Sequence, residues 1–197
     1  MRNLILLFFV IPLLSLDARL RDSVKVKSPI YEIVYSEKLQ QPKSVKYTVL
    51  CPNGTASRTG MDFYTVDSIR TSDDLDYADN LYDKGHMAPA ADFNCTKEML
   101  HLTFSYINCA LQDQYLNRGL WKDLETHERN LAEKDTIDVA ILIVFTSKSM
   151  VLSTGATVPD GFYKTITLRK ARKSYKYYFP NKKPEKKTIA EYLVKVK

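Results

Sequence analysis

Residues 82–93 read YDKGHMAPAADF, and the rest of the chain is organised around this stretch. Asp83 and Gly85 are typical turn residues, because Asp hydrogen-bonds locally and braces a turn while Gly tolerates positive φ. The sequence therefore predicts the end of an extended segment and then a tight polar turn that presents His86 on a constrained backbone. Taken alone, a turn with a surface histidine is the simplest interpretation.

A second stretch, residues 117–133, predicts an amphipathic helix. At about 100° per residue its leucines form one buried stripe. A neighbouring stripe carries side chains that burial alone does not select, namely Asn117, Trp121, Glu125 and Arg129. Two simpler explanations stay open: Glu125 and Arg129 can form a surface ion pair worth about 0.2–0.5 kcal/mol, and Asn117 can be an N-cap.

Together these stretches resemble the DNA/RNA non-specific endonuclease family of the ββα-metal, or His-Me finger, nucleases. The family signature is Asp-Arg-Gly-His with a following run of small residues and Pro, then Asn-x-x-Pro-Gln, then Asn-x-Gly-x-Trp-x-x-Leu-Glu. Here the three blocks fall in the same order at residues 83–89, 108–112 and 117–125. The resemblance is clear over about residues 57–145.

The resemblance implies an α+β fold, with a mixed, largely antiparallel central sheet flanked by helices. The ββα-metal motif would be formed by the chain around residues 83–86 and by the helix that begins at Asn117. The implied reaction is hydrolysis of phosphodiester bonds in DNA and RNA, with little sequence preference and with 5′-phosphate and 3′-hydroxyl ends.

The resemblance also implies roles for the principal site residues. His86 is the implied general base, since an unperturbed imidazole titrates at about 6.5 and can accept a proton from water at neutral pH. One divalent cation is implied, usually Mg²⁺ and otherwise Mn²⁺ or another divalent ion, with the Asn117 amide oxygen as direct ligand. Glu125 is implied to hold a metal-bound water, and Arg129 to stabilise charge on the phosphate.

Three further positions follow from the same resemblance. Asn108 is implied to orient His86 or the water shell of the metal, and Arg58 is the nearest candidate for a substrate-binding arginine. Lys84 replaces the usual arginine, which keeps the charge but loses bidentate phosphate geometry, so we expect weakened catalysis. Leu111 replaces a proline, and we expect this to affect backbone shape.

Rival interpretations stay open. One is a nucleic-acid-binding relative with the same fold and lost turnover, and another is a phosphodiesterase for other substrates such as nucleotides or lipids. A zinc site built from His86, His101 and His127 does not match a short structural-zinc spacing. We expect His101 and His127 to be ordinary surface or partly buried residues.

Composition is compatible with the nuclease interpretation without establishing it. A chain of 197 residues with 45% hydrophobic residues predicts one globular domain, and a net charge of +6 favours an anionic partner such as DNA or RNA. Basic and aromatic residues alternate over residues 169–187. Nucleic-acid binding and a solubilising edge strand with a tail both explain that pattern. The oligomeric state stays open.

The N-terminus predicts export. Arg2 precedes the apolar run 4–14, which ends in small residues, as in a secretory signal peptide. We assign residues 1–18 to the signal and 19–197 to the nuclease domain, in a secreted or endomembrane-lumen protein. The run is too short for a membrane anchor. An Arg-rich amphipathic mitochondrial presequence would look different.

Cysteines and glycosylation acceptors agree with export. Asn53 and Asn94 each begin an Asn-x-Thr acceptor. Three cysteines allow one disulfide, and the sequence does not decide which pair forms. Since Cys109 lies inside the family motif, where we expect a packed small side chain, we favour Cys51 with Cys95.

Local patterns predict the remaining elements. Four runs rich in β-branched and aromatic residues predict strands: residues 31–36, 45–50, 137–145 and 162–169. A turn at residues 40–43 would join the first two strands. The third run is nearly continuously apolar, so we expect a central strand buried on both faces. Thr96 is a predicted helix cap, and residues 188–196 predict a short terminal helix.

Overall fold

Among residues 20–195, the part of the chain that the computed structural model describes, eight strands and three α-helices form. The predicted signal peptide lies outside the described residues. The strands are β1 (Val24–Lys27), β2 (Glu32–Ser36), β3 (Gln41–Thr48), β4 (Tyr82–His86), β5 (Cys109–Asp113), β6 (Ile137–Val144), β7 (Gly161–Leu168) and β8 (Lys173–Pro180). The helices are α1 (Lys97–Leu102), α2 (Gln114–Leu116) and α3 (Lys122–Ala132), with 3₁₀ turns at Asp74–Tyr77, Ala90–Asp92, Tyr106–Asn108 and Ile189–Tyr192.

Six strands form one sheet in the order β1-β2-β3-β6-β7-β8, and β4 pairs with β5 separately. Every pairing between these strands is antiparallel. The predicted α+β fold with a largely antiparallel sheet is confirmed.

Strand β6 lies in the middle of the large sheet, as predicted, but only one of its faces is buried. Ile137, Val139, Ile141 and Ile143 are buried, whereas Leu142 on the opposite face is 52% exposed. The prediction of burial on both faces is wrong. Continuous apolar strands covered on both sides belong to parallel sheets, and an antiparallel sheet can leave one face to solvent.

The turn between β2 and β3 comes earlier than predicted. It occupies residues 37–40, with Gln40 at a φ of +52°, and β3 already begins at Gln41. Pro42 therefore lies inside a strand, opposite Tyr35 and beside a register shift. A proline is tolerated there because a bulge interrupts the ladder of hydrogen bonds to which proline cannot donate.

The helix of the second motif covers the buried face of the large sheet. Leu116, Leu120 and Leu124 are buried in the main core together with Trp121, whose ring centroid lies 5.4 Å from that of Phe162. The predicted leucine stripe is confirmed. Because this face is fixed on the sheet, the polar stripe beside it lies at the margin of the core.

That helix is not continuous. A π-type turn, Asn117–Trp121, separates α2 from α3, and Gly119 has the non-helical angles φ −107° and ψ −116°. The N-cap is Asp113, whose carboxylate accepts hydrogen bonds from two backbone N–H groups of the first turn. The alternative in which Asn117 is an N-cap is therefore wrong, and its side chain is available for another role.

The favoured disulfide, Cys51–Cys95, is present, with the two Cα atoms 5.5 Å apart. Cys109 is a buried free thiol, as expected. Thr96 caps α1 by accepting a hydrogen bond from the backbone N–H of Met99, which confirms the predicted cap. The disulfide and a hydrogen bond from Nδ2 of Asn94 to the carbonyl of Gly54 tie the start of α1 to the loop at residues 51–55.

The C-terminal part is an edge strand followed by a short turn. Strand β8 lies at the end of the large sheet and pairs with β7, and an isolated bridge joins Tyr177 to Leu193. In place of the predicted terminal helix, the described residues up to 195 form only the 3₁₀ turn Ile189–Tyr192, since so short a segment gains little from helical hydrogen bonds. No helix in residues 20–195 combines the length and the apolar character needed to cross a bilayer.

Candidate active site

His86 is the last residue of a strand, so the predicted turn at residues 83–86 is wrong. Gly85 pairs with Ala110 of β5 in the antiparallel ladder. A Cβ at Gly85 would lie 2.4 Å from Oε1 and 2.6 Å from Cβ of Gln112. Glycine is therefore required here by the close approach of β5, and not by positive φ.

The His86 ring is packed among aromatic side chains. Its centroid lies 4.9 Å from that of Phe63 and 5.0 Å from that of Phe104. Its Nε2 atom is buried and has no hydrogen-bond partner among the described residues. Burial, with a smaller contribution from the positive charge of Arg58, lowers the pKa of His86 to about 4. The imidazole is therefore neutral near pH 7 and able to accept a proton.

Asp83 orients Asn117. Its carboxylate accepts a 2.8 Å hydrogen bond from Nδ2 of Asn117 and two more, of 2.8 and 2.6 Å, from Arg118. Because the amino group of Asn117 donates to Asp83, the amide oxygen remains as the free acceptor. Asp83 therefore fixes a side chain of the helix, and does not brace a turn.

One open cleft of about 630 Å³ brings together six of the seven predicted site residues. These are Arg58, Lys84, His86, Asn117, Glu125 and Arg129. Arg118 and Lys122, which sequence reasoning did not single out, line the cleft as well. Five cationic side chains against the two carboxylates of Asp83 and Glu125 make the cleft suited to a phosphate backbone.

Asn108 is the predicted site residue that does not line the cleft. Its side chain is fully buried and bonds both backbone groups of Ala88, accepting from the N–H at 2.8 Å and donating to the carbonyl at 2.9 Å. A further bond of 3.0 Å reaches the carbonyl of Thr103. Asn108 was predicted to orient either His86 or the water shell of the metal. This geometry fits the first role, because Asn108 fixes the backbone of Ala88, two residues after His86.

Lys84 is already engaged on the cleft surface. Its ammonium group pairs with the Asp74 carboxylate and lies 5.3 Å from the centroid of the Phe63 ring. Part of its charge is therefore balanced within the protein.

A buried carboxylate, that of Asp92, binds the guanidinium group of Arg129 on its core side. Nη1 of Arg129 donates a 3.0 Å hydrogen bond to Asp92, which is fully buried, and its Nη2 donates to Thr126. No ion pair forms between Arg129 and Glu125 in the described chain, so the surface-pair alternative is wrong.

Burial raises the pKa of Glu125 to about 7, and the positive charges of Lys164 and Arg129 oppose this rise.

Beneath these residues lies a buried ion pair that sequence reasoning missed. Nζ of Lys164 is 2.8 Å from Oε2 of Glu128, and both side chains are fully buried. The Tyr47 hydroxyl donates a 2.7 Å hydrogen bond to the other oxygen of Glu128. Burial and the nearby Glu128 carboxylate raise the pKa of Asp92 well above its ordinary value.

One signal of this pair was visible in the sequence. Lys164 lies between Phe162 and Ile166 at alternate positions of a predicted strand, and so on the strand's core-facing side. A lysine on the buried face of a strand requires an acidic partner. The sequence did not indicate which carboxylate that partner would be.

The donor set of the cleft fits a hard divalent cation. The free amide oxygen of Asn117 and the carboxylate of Glu125 line the same space. Mg²⁺ prefers oxygen ligands and keeps several of its waters, so a site with few protein ligands suits it. The described residues contain no group of three or more His, Cys, Asp or Glu side chains arranged to hold a metal.

The zinc alternative required His101 as one of three histidine ligands. In the structure, His101 is stacked on Tyr64 with ring centroids 4.7 Å apart.

Two antiparallel strands and the helix that follows them, with the strand's histidine and the helix's asparagine opening on one cleft, place this domain in the ββα class of nuclease folds. The family model of the DNA/RNA non-specific endonucleases matches residues 16–197. The chain belongs to this family.

Several named nucleases are similar to parts of the chain. Mitochondrial endonuclease G of Bos taurus is 32% identical over 81 residues, which is 40% of this chain and 27% of that protein. A salivary endonuclease of Lutzomyia longipalpis is 40% identical over 63 residues, 32% of this chain and 15% of that protein. Nuclease C1 of Cunninghamella echinulata var. echinulata is 31% identical over 139 residues, 62% of this chain and 55% of that protein. Each match thus spans less than two thirds of the relative's own length.

A solved structure has the same fold. A chain from the crystal structure of the EndoG/EndoGI complex superposes with a TM-score of 0.78 at 24% sequence identity, covering 87% of this chain and 80% of that chain. The likeness therefore extends well beyond the two motifs.

Proposed function

We propose that this protein is a metal-dependent endonuclease that hydrolyses phosphodiester bonds in DNA and RNA with little sequence preference. The observation that carries the proposal is the neutral His86, whose buried Nε2 lacks a partner among the described residues and which lines the same cleft as the Asn117 amide. Membership of the non-specific endonuclease family and the nuclease relatives support the same reaction.

In the proposed mechanism, His86 accepts a proton from the water that attacks phosphorus. Arg129, held by Asp92, stabilises the negative charge that grows on the phosphate oxygens. Arg58 binds the substrate at the edge of the cleft. Asn117 would hold a divalent ion such as Mg²⁺ directly, and Glu125 would hold it through water. When bound, the ion supplies Lewis-acid polarisation of the phosphate and stabilises the leaving oxygen.

The test is a plasmid-nicking and RNA-cleavage assay of the mature protein with Mg²⁺, with Mn²⁺ and with EDTA. We expect His86→Ala to reduce cleavage about 10²- to 10⁴-fold, the usual contribution of a general base, while its affinity for nucleic acid is retained. His101→Ala is the matched control, because that ring is stacked on Tyr64. Unchanged cleavage by His86→Ala, or full activity in EDTA, would contradict the proposal.

A second candidate, a nucleic-acid-binding relative with weakened turnover, is favoured by one observation. Lys84 stands in the motif position of an arginine and is paired with Asp74. If the wild-type protein binds nucleic acid without cutting it under any metal condition, this candidate replaces the first. A small chromogenic diester that is cleaved in preference to duplex DNA would instead indicate a phosphodiesterase for other substrates.

We further propose that the protein enters the secretory pathway through a signal at residues 1–18. The disulfide Cys51–Cys95 supports an oxidising compartment, and a salivary endonuclease is among the relatives. Expression in a eukaryotic secretory host should give a mature N-terminus close to residue 19. Retention of residues 1–18 in the exported or lumenal protein would refute this assignment.

Of the two glycosylation acceptors, we propose that only Asn53 is used. Asn53 is exposed, whereas Nδ2 of Asn94 donates a 2.9 Å hydrogen bond to the carbonyl of Gly54. The other two residues of the second acceptor are also engaged, Cys95 in the disulfide and Thr96 in the cap of α1. Asn53→Gln should abolish the glycosidase-sensitive mass shift, and Asn94→Gln should leave it unchanged.

A further inference from the structure

An exposed aromatic residue and an uncommitted lysine meet just outside the cleft. Tyr115, in α2, is 52% exposed. Nζ of Lys183, which follows β8, lies 5.0 Å from the centroid of the Tyr115 ring. Such a cation–π contact orients the ammonium group without neutralising its charge.

The pair lies next to the cleft. Tyr115 and Arg118 are three residues apart in a helical turn, a spacing that brings side chains together, and Arg118 lines the cleft. The pKa of Arg118 is raised mainly by the Asp83 carboxylate, and Tyr115 makes a smaller contribution in the same direction. The path from the cleft therefore runs outward over Arg118 to Tyr115 and then to Lys183.

The backbone that carries Lys183 is anchored. Two residues before it, Asn181 accepts a 2.7 Å hydrogen bond from the N–H of Asp113 and donates bonds of 2.9 Å to the carbonyls of Leu111 and Pro159. Asp113 is the N-cap of the helix that bears Tyr115. Lys183 is therefore held in place beside α2 by the same residue that begins this helix.

Two nearby lysines, Lys182 and Lys186, are engaged in polar contacts within the protein. Lys182 pairs with Glu185 at 2.6 Å, and Lys186 donates to the carbonyl of Glu191 at 2.6 Å. Lys183 has no carboxylate within ion-pair distance among residues 20–195. A solubilising tail does not require one lysine to be placed on a ring that adjoins a phosphate-binding cleft.

We propose that Tyr115 and Lys183 form an outer phosphate-binding step, which holds the sugar-phosphate backbone of a long nucleic-acid substrate beyond the cleft. This inference rests on the proposed nuclease function and adds a substrate preference to it. Lys183 contacts a phosphate as a point charge, and Tyr115 keeps the lysine in position. A substrate too short to leave the cleft does not reach this step.

The test compares Lys183→Gln with Lys173→Gln, a matched change at an exposed lysine at the other end of β8. With a long duplex, we expect Lys183→Gln to raise KM about 3- to 10-fold at unchanged kcat, and to lower the slope of log affinity against log salt by about 0.9. A short oligonucleotide that fills only the cleft should be cut equally well by both variants and by the wild type. Lys183→Arg should restore the long-substrate KM.

Tyr115→Leu provides a second, independent readout. It removes the ring while retaining an apolar side chain, and we expect it to raise KM for the long duplex in the same direction as Lys183→Gln, with unchanged thermal stability. Binding measured in a His86→Ala background keeps the test independent of catalysis. If the wild type neither binds nor cuts nucleic acid, the proposed function fails. If it does both and Lys183→Gln behaves like Lys173→Gln, only the outer step is refuted.

Discussion

The cleft has two walls that are built in opposite ways. The strand wall, Lys84 and His86 of β4, rests on a backbone ladder and on aromatic rings. The helix wall, Asn117, Glu125 and Arg129, rests on a layer of buried charges. The strand wall keeps the His86 imidazole neutral mainly by burying it among aromatic rings. The helix wall holds the Arg129 guanidinium in place with the buried Asp92 carboxylate.

This difference predicts whether a mutation in each wall mainly reduces stability or mainly changes activity. Removing a charge from beneath the helix wall leaves an uncompensated ion in the core, which costs stability first. Disturbing the strand wall changes the solvation and placement of one titrating ring, which affects activity and its pH dependence. Asp83 connects the walls, because it lies on β4 and bonds the Asn117 amide.

The largest expected effect comes from breaking the buried ion pair. Lys164→Ala leaves Glu128 without its cation at a fully buried position, and we expect a loss of about 3–5 kcal/mol in the free energy of unfolding, measured by urea denaturation. Lys182→Ala, which breaks an exposed pair with Glu185, should cost about 0–1 kcal/mol. Equal losses in the two variants would show that the core pair does not support the helix wall.

The next effect tests the backbone of the strand wall. Gly85→Ala places a methyl group 2.4 Å from Oε1 of Gln112, and we expect a loss of about 1–3 kcal/mol from overpacking, with reduced kcat/KM as His86 shifts. Adding Gln112→Ala should recover only part of the loss, because the contact with Cβ of residue 112, at 2.6 Å, remains. A melting temperature equal to that of the wild type would mean that β4 and β5 can move apart to admit the methyl group without a loss of stability.

Asp83→Ala tests the connection between the walls. Without its acceptor, the Asn117 amide is free to rotate, and we expect kcat/KM to fall about 10- to 100-fold, as is usual for residues that orient a metal ligand. The metal concentration that gives half-maximal activity should also rise. Asp74→Ala is the control, since Asp74 pairs with Lys84 and is not bonded to Asn117. A similar metal requirement in both variants would argue against an orienting role for Asp83.

The sequence predicted which residues line the cleft better than it predicted the strands and contacts that position them. His86 and Asn117 belong to motif blocks with a characteristic order, and the 3.6-residue period placed the leucine stripe of the helix correctly, because both signals are local. The end of an extended segment was predicted near residue 82, but its continuation as a strand through His86 was missed because a turn was predicted there. Asp and Gly favour turns by their own chemistry, whereas pairing with β5 is set by residues far along the chain.

The roles of Gly85 and Asn108 show the same limit. The reason for glycine at position 85 is the approach of Gln112 from another strand, and the bonds of Asn108 reach Ala88 just beyond the end of the same strand pair. Neither contact has a local pattern. The buried pair was partly visible, since Lys164 interrupts an apolar face, but its partner Glu128 lies on another element.

The smallest effect separates the two causes of the lowered pKa of His86. With a pKa of about 4, the acid limb of kcat/KM should lie well below that of an ordinary histidine, because the base stays unprotonated until the pH falls through this value. Arg58→Gln removes a positive charge that disfavours the imidazolium ion, so the pKa should rise and the limb should move to higher pH. Arg58→Lys keeps the charge and should leave the limb in place. Because burial is the larger cause, the limb of Arg58→Gln should still lie below that of a solvent-exposed histidine. A limb that moves equally in both variants would assign the shift to the geometry of the arginine and not to its charge.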